Sequence, residues 1–293
     1  MGEVLVARPN SSKGAVFSPL QNHKNRVCSR RVKKIHAILT PAELPSLHSG
    51  GLDAALCVVF DVLRATSTFV TALHHGAKRV LPVGEIAEAL VWRQKDPRVL
   101  LAGERDGVKI GPAQTGGISF DLGNSPREFG PETVRDKTIV ATTTNGTRAL
   151  RACRAASTVL AGSFLNLSAT ARFIREQSAE RVLLVCAGTG SQAALEDVLG
   201  AGALCRHLLE GNPAGYALSD AAAIAWRTFR QVEPELAEVL SRTDNGKRLM
   251  AIPALRADVA YCAQTDRFDL VAWQSPEGLI RLTPQTPAPA GAE

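Results

Sequence analysis

The chain has 293 residues, of which 45% are apolar and 21% charged, a make-up typical of globular protein and long enough to bury a core. No apolar run approaches the roughly 20 residues that a membrane-crossing helix needs, so no membrane partner is expected. The formal charge of +6 is unevenly placed. Arg8, Lys13, Lys24, Arg26, Arg30, Arg31, Lys33 and Lys34 face only Glu3, which puts +7 in residues 1–34 and about −1 in the rest. Nucleic-acid binding is therefore not expected of the folded body.

Residues 1–34 show no sustained periodicity, contain Pro9 and Pro19, and lack a secretory apolar region, so they read as a flexible basic arm. A first strand is expected near Val32–Leu39. Thr40-Pro-Ala-Glu43 then carries a helix-start pattern, with Pro41 at the first helical position and Glu43 three residues after the cap. The run Ala55-Leu-Cys-Val-Val-Phe60 predicts a buried strand, followed by a helix at 66–75 that Gly76 stops. Strand 80–83, helix 85–95 and strand 99–102 continue the alternation, which points to a parallel sheet with crossover helices.

Residues 103–137 are long, polar and irregular, a pattern that inside a compact domain is usually functional or disordered. Strand 138–142, helix 147–155, strand 158–161 and a helix from Asn166 to about 178 follow. The strand Arg181–Cys186 leads through Ala187-Gly-Thr-Gly-Ser-Gln192 into a long helix at 193–209. After a linker at 211–215 come helices at 219–230, 233–241, 244–250 and 254–263, then two closing strands at 268–273 and 279–282. The fold class is α/β, a three-layer α/β/α arrangement with a largely parallel or mixed sheet. Two lobes are left open: 35–165, and a helix-rich 166–283, with a Pro/Ala-rich disordered tail at 284–293. Six cysteines are scattered without a C-x-x-C pair, which fits a reducing cytoplasm rather than a disulfide framework.

Four polar clusters follow expected strands: Asp61-Val-Leu-Arg64, Gly103-Glu-Arg105, Thr142-Thr-Thr-Asn-Gly-Thr147, and Ala187-Gly-Thr-Gly-Ser191 with Glu196-Asp197 just beyond. If the strands are parallel, all four gather at one sheet edge, where α/β proteins bind ligands. Asp61, Glu104, Asp121, Glu196 and Asp197 are hard oxygen donors of the kind that hold Mg²⁺. Thr66 and Ser67 stand at a helix start suited to an anion or to capping. Thr144 and Asn145 sit in a donor-rich loop, and Asn124 and Ser125 follow a glycine. Arg64, Arg105, Arg127 and Arg148 could fork onto anionic oxygens.

Spacing excludes several sharper readings. Position 63 is Leu, where an Asp-x-Asp phosphatase needs a second acid, and Cys186 meets Gln192 where a cysteine-phosphatase loop needs arginine. One rival remains in Gly188-Thr-Gly-Ser-Gln-Ala193, which has the G-x-G-x-x-A spacing of a dinucleotide site. A dinucleotide-dependent oxidoreductase and a non-catalytic phosphate-ligand binding protein therefore stay as alternatives.

With these clusters in view, the chain resembles the 2-phosphosulfolactate phosphatase family. The resemblance rests on Val58-Val-Phe-Asp-Val-Leu-Arg-Ala-Thr-Ser-Thr68, Gly103-Glu-Arg105, Phe120-Asp-Leu-Gly-Asn-Ser-Pro126, Thr142-Thr-Thr-Asn-Gly-Thr-Arg148, Gly162-Ser-Phe-Leu-Asn166, Cys186-Ala-Gly188 with Glu196-Asp197, and Ser219-Asp220. It implies Mg²⁺-dependent hydrolysis of 2-phospho-3-sulfolactate, a step of coenzyme M biosynthesis, by a cytoplasmic enzyme. On that reading the catalytic residues are Asp61, Arg64 and Glu104. The metal ligands come from Asp61, Glu104, Glu196 and Asp197. Thr66, Ser67, Asn124, Ser125, Thr144, Asn145 and Arg148 would hold a small anionic phosphate ester. Direct water attack and covalent attack by Asp61 both stay open, as does a homo-oligomeric state.

Overall fold

The computed structural model of the protein describes residues 32–49 and 52–282, all within one compact unit. Most of the expected basic arm and the whole tail lie outside the described residues. In chain order the first half contains β1 (Lys33–Ile38), β2 (Ala55–Phe60), α1 (Ala65–His74), β3 (Arg79–Pro82), α2 (Ile86–Lys95), β4 (Leu100–Arg105), β5 (Val108–Lys109), α3 (Pro112–Thr115), α4 (Pro131–Val134), β6 (Thr138–Thr142) and α5 (Gly146–Ala152). The second half contains β7 (Thr158–Gly162), α6 (Leu167–Glu176), β8 (Arg181–Cys186), α7 (Leu195–Leu209), β9 (Tyr216–Leu218), α8 (Asp220–Val232), α9 (Leu236–Arg242), α10 (Asp244–Ala251), α11 (Arg256–Cys262), β10 (Val271–Ser275) and β11 (Gly278–Leu282). Among the described residues no helix is long and apolar enough to cross a membrane.

The strands form one sheet in the order β5-β4-β6-β3-β11-β10-β7-β2-β8-β1-β9. Strands from either side of residue 165 interleave in it, with β7 and β8 both flanking β2. Central strands are buried on both faces, which is why they read as unbroken apolar runs. In β2, Leu56, Val58 and Phe60 pack with residues of α6, α7 and α8, while Ala55, Cys57 and Val59 pack with residues of α1 and α5. On β3, β4 and β6, Leu81, Leu101 and Val140 pack with Ala89 of α2. Helices on both faces make the three layers.

The sheet is mixed in a specific way. β2, β7, β8, β1 and β9 form one parallel block and β3, β6 and β4 another. The hairpin β10–β11 lies between them, antiparallel to β7 on one side and to β3 on the other. Three antiparallel steps give the two blocks opposite senses along the ladder. The premise of all-parallel strands therefore does not hold. Twist of roughly 20–25° per strand accumulates to about 100–125° between β6 and β2. The turns after β2 and β6 nonetheless meet, since the Asp61 carboxyl accepts from the Gly146 N–H.

Local deviations from the sequence reading have simple causes. Glu43 accepts from the Thr40 N–H at 3.0 Å, as a helix start requires, but Pro45 falls inside the segment and Pro41–Ser49 winds as a 3₁₀ helix. The expected irregular stretch 103–137 contains β5 and two one-turn helices, each begun by a proline. The described cysteines are all buried and unpaired as disulfides, and burial pushes the Cys205 and Cys262 thiols up to about 12.

Candidate active site

The loop from β2 to α1 is wound by its own hydroxyls. Thr66 donates from N–H and Oγ1 to the Asp61 carbonyl at 2.9 and 3.0 Å, and the Asp61 N–H donates to Thr66 Oγ1 at 3.1 Å. Ser67 Oγ donates to the Val62 carbonyl at 2.9 Å. Both side chains are fully buried. They form the turn and do not line the cleft, so the expected substrate contacts of Thr66 and Ser67 give way to a structural role. The Leu63–Arg64 peptide in this loop is cis.

That turn leaves the Asp61 carboxyl between two helix starts. Its Oδ1 accepts from the Ala65 N–H at 3.2 Å, and it also accepts from the Gly146 N–H at the start of α5. A Cβ on Gly146 would stand 2.6 Å from Asp61 Oδ2, so only glycine allows this approach. Burial pushes the Asp61 carboxyl up to about 7; the charges of Glu104 and Glu196 add to the rise, and the two N–H groups oppose it.

Glu104 arrives from β4. Gly103 lets β4 lie close to β6, since a Cβ there would stand 2.3 Å from the Thr142 carbonyl. Glu104 Oε1 accepts from the Thr144 N–H at 3.0 Å and from Thr144 Oγ1 at 3.2 Å. Its Oε2 accepts from the Gly107 N–H at 2.7 Å. The following turn brings Asp106 to the cleft. Asn145 also lines the cleft, and its Oδ1 is buried with no partner among the described residues.

Glu196 and Asp197 begin α7 behind this surface. Asp197 Oδ1 accepts from the Val62 N–H at 2.8 Å and Oδ2 from the Gly188 N–H at 2.9 Å. Both oxygens are committed to tying the end of β2 to the turn after β8. Burial holds its carboxyl well above the usual range, with the charges of Asp61 and Glu196 adding to the effect. Glu196 Oε1 accepts from Asn245 Nδ2 at 2.5 Å. Neither acid lines the cleft. Among the described residues no group of three or more His, Cys, Asp or Glu gathers as a ready-made metal cluster.

The oxygen-bearing groups at the cleft include the carboxyls of Asp61, Glu104 and Asp106 and the amide of Asn145, whose buried Oδ1 has no partner among the described residues. A buried acceptor without a donor is costly until a ligand satisfies it. Mg²⁺ commonly takes one or two carboxylates and completes its shell with water and phosphate oxygens. Hard oxygens of this kind fit such an ion. The glycine turn of the dinucleotide rival offers less. Its Gly188 N–H is held by Asp197, Pro41 crowds Gly188, and two acids occupy the helix start where a pyrophosphate would dock.

Of the four arginines singled out in the sequence, only Arg64 lines the cleft. Its NH1 donates to Asp258 Oδ2 at 2.7 Å in a buried ion pair, and its NH2 donates to the Gly107 carbonyl at 2.8 Å. Ser125 Oγ donates to Asp258 Oδ1 at 2.7 Å, so Ser125 supports the ion pair while Asn124 faces the cleft. Arg105 folds back onto the Glu104 carbonyl and Thr142, and Arg127 reaches the Ala254 carbonyl. Arg148 donates to the Gly190 carbonyl and lines a separate apolar recess beside Pro41. Sequence reasoning missed Asn245, Arg248 and Asp258. The available signal was Thr243, whose Oγ1 accepts from the Gly246 N–H and caps α10, placing Asn245 in its first turn.

The result is a cavity of about 150 Å³ to which the turns after β2, β4 and β6 bring Asp61, Glu104, Asp106, Thr144 and Asn145, and α10 brings Asn245 and Arg248. Its size suits a small molecule. It combines buried carboxylates, a fixed guanidinium and amide and hydroxyl groups, the means to hold an anion and move a proton.

Residues 39–277 match the family described as 2-phosphosulpholactate phosphatase. The chain is 43% identical over 220 residues to a probable 2-phosphosulfolactate phosphatase of Thermotoga petrophila, covering 75% of this chain and 89% of that one. It is 39% identical over 248 residues to a protein of the same name from Carboxydothermus hydrogenoformans, covering 85% and 94%.

Proposed function

The chain belongs to the 2-phosphosulpholactate phosphatase family, and from that premise we propose that it hydrolyses 2-phospho-3-sulfolactate or a related phosphorylated hydroxy acid with Mg²⁺. It is a phosphoric monoester hydrolase. The observation that carries the finer reading is Asp61: a carboxyl with a pKa of about 7, set between two helix starts in a small cleft beside a fixed arginine.

Such esters are among the slowest biological bonds to hydrolyse, and a catalyst must supply on the order of 20 kcal/mol. Prepositioned charge carries most of that. Arg64 is held by Asp258 and the Gly107 carbonyl, so its remaining N–H groups are aimed at phosphoryl oxygens without further ordering. Thr144, Asn145 and Asn124 offer polar groups around the same space. Burial raises the Asp61 carboxyl to about 7 in the metal-free protein, and its carboxylate form can take a proton from an attacking water. As the water oxygen bonds phosphorus, the ester P–O bond breaks, the water's proton passes to the Asp61 carboxylate, and the departing hydroxy-acid oxygen takes a proton from solvent. Mg²⁺, when held by Asp61, Glu104 and Asn145, would neutralise phosphoryl charge and polarise phosphorus.

The test is phosphate release from a panel of phosphorylated hydroxy acids, with and without Mg²⁺, by wild type and Asp61→Asn. Turnover that needs Mg²⁺ and is lost in the variant is expected. Metal-independent turnover unaffected by the substitution would overturn the mechanism.

A further inference from the structure

The cleft has two guanidinium groups, and their electrical situations differ. Arg64 is paired with Asp258, both side chains buried at 3% and 0% exposure. Arg127, which is not among the residues lining the cleft, shares the same carboxylate at 3.6 Å from Asp258 Oδ1, so Arg64 sits in a built ionic cluster. Arg248 is exposed and has no carboxylate partner among the described residues. Its NH2 donates to Asn245 Oδ1 at 2.7 Å.

Asn245 cannot be turned the other way. Its Nδ2 donates to Glu196 Oε1 at 2.5 Å and to Thr189 Oγ1 at 2.8 Å. A carboxylate only accepts and a guanidinium only donates, so the amide nitrogen must face Glu196 and the amide oxygen must face Arg248. A buried acid thus fixes an amide, which in turn fixes the direction of an exposed arginine. One of the five guanidinium donors is used by Asn245, and the side chain lines the cleft.

We infer that Arg248, aimed by Asn245, is the specificity residue that takes the substrate's second anionic group, a carboxylate or sulfonate on the carbon skeleton. This rests on the phosphatase reading and goes beyond it by assigning the part of the cleft that α10 supplies. The carboxylates of Asp61 and Glu104 repel a free carboxylate beside them. The phosphoryl group belongs near Arg64 and those acids, where a divalent cation would offset the repulsion. The acid group then falls to Arg248, the cleft arginine with no carboxylate partner among the described residues. A planar guanidinium matches two oxygens of a carboxylate or sulfonate at once.

The experiment is steady-state kinetics with Mg²⁺ on wild type, Arg248→Gln, Arg248→Lys and Asn245→Ala. Two esters are compared: a phosphorylated hydroxy acid and para-nitrophenyl phosphate, which has no second acid group. Charged hydrogen bonds are worth roughly 1.5–3 kcal/mol, or about 10–100-fold. Arg248→Gln is expected to raise KM for the acid-bearing ester by about that factor with kcat little changed, and to leave kcat/KM for the nitrophenyl ester within about twofold. Arg248→Lys should recover part of the loss, since a point charge replaces the fork. Asn245→Ala should show the same selective rise, smaller, with its thermal midpoint recorded because it also releases Glu196. Equal loss on both esters, or none on either, overturns this inference and leaves the phosphatase reading standing. Failure of wild type to turn over either ester removes that reading and the inference with it.

Discussion

The two parts of the cleft are built by different rules. The strand-end part takes Asp61, Glu104, Thr144 and Asn145 from turns after β2, β4 and β6, and its carboxylates are held by backbone N–H groups of the same and neighbouring turns. The helical part takes Asn245 and Arg248 from α10, while Asp258 of α11 reaches back 194 residues to Arg64. The strand-end part carries the acids to which the proposed chemistry is assigned. The helical part carries an arginine with no carboxylate partner among the described residues and the counter-ion that fixes the buried one. On that proposal the acids are placed by local turn geometry, and their surrounding charges by packing that the sequence does not display locally.

The largest expected effect is in the strand-end part. Asp61→Asn should lower kcat by about 10²–10⁴-fold with the fold intact, read by phosphate release and circular dichroism. A variant that kept most of its rate would move the chemistry elsewhere. Next, Asp258→Ala leaves the Arg64 guanidinium buried and unpaired and should cost about 3–5 kcal/mol in denaturant unfolding. Little loss would mean that water replaces the carboxylate and that the helical part is softer than its burial indicates.

The pH dependence of stability separates the two parts further. The folded pKa of Asp61 is about 7 against an ordinary 3.8. Its contribution is therefore fully present below about pH 4 and is lost as pH rises through about 7, a change on the order of 4 kcal/mol. In divalent-free buffer the thermal midpoint should fall across that window. Asp61→Asn should flatten the curve, and adding Mg²⁺ should restore stability most at the alkaline end. A wild-type curve that is flat between pH 4 and 8 would contradict the assignment. The smallest effect is expected at Arg148, which lies outside the cleft: Arg148→Ala should leave kcat/KM within about twofold.

Much of the fold was legible. Strands Thr138–Thr142 and Arg181–Cys186 fall where their apolar runs and flanking polar turns put them. The gathering of strand-end clusters was also legible, although the reason was not. Nothing local in 268–282 indicates that this hairpin inserts between β3 and β7. Thr66 and Ser67 were over-read, because a hydroxyl at a helix start can turn to a ligand or to its own backbone, and here it turns inward. Arg105, Arg127 and Arg148 were over-read for a related reason. Their positions lie near strand ends, but a long side chain can leave a turn in several directions. Asn245, Arg248 and Asp258 were invisible because each sits on a helix without a preceding strand: Asn245 and Asp258 meet Glu196 and Arg64 at 49 and 194 residues' separation, and Arg248, though bonded to Asn245 three residues away, reaches the cleft only through packing.

The hairpin β10–β11 also has a consequence for how the molecule comes into being. During synthesis Asp61, Glu104 and Thr144 leave the ribosome early, on strands of two separate blocks. The two strands that join those blocks come last among the described elements. Until then the nascent chain exposes two unfinished sheet edges, a state prone to wrong pairing. The enzyme therefore carries its reactive groups through most of translation as unassembled parts, and the final hairpin works as a keystone whose arrival brings the blocks, and with them the cleft, into one piece.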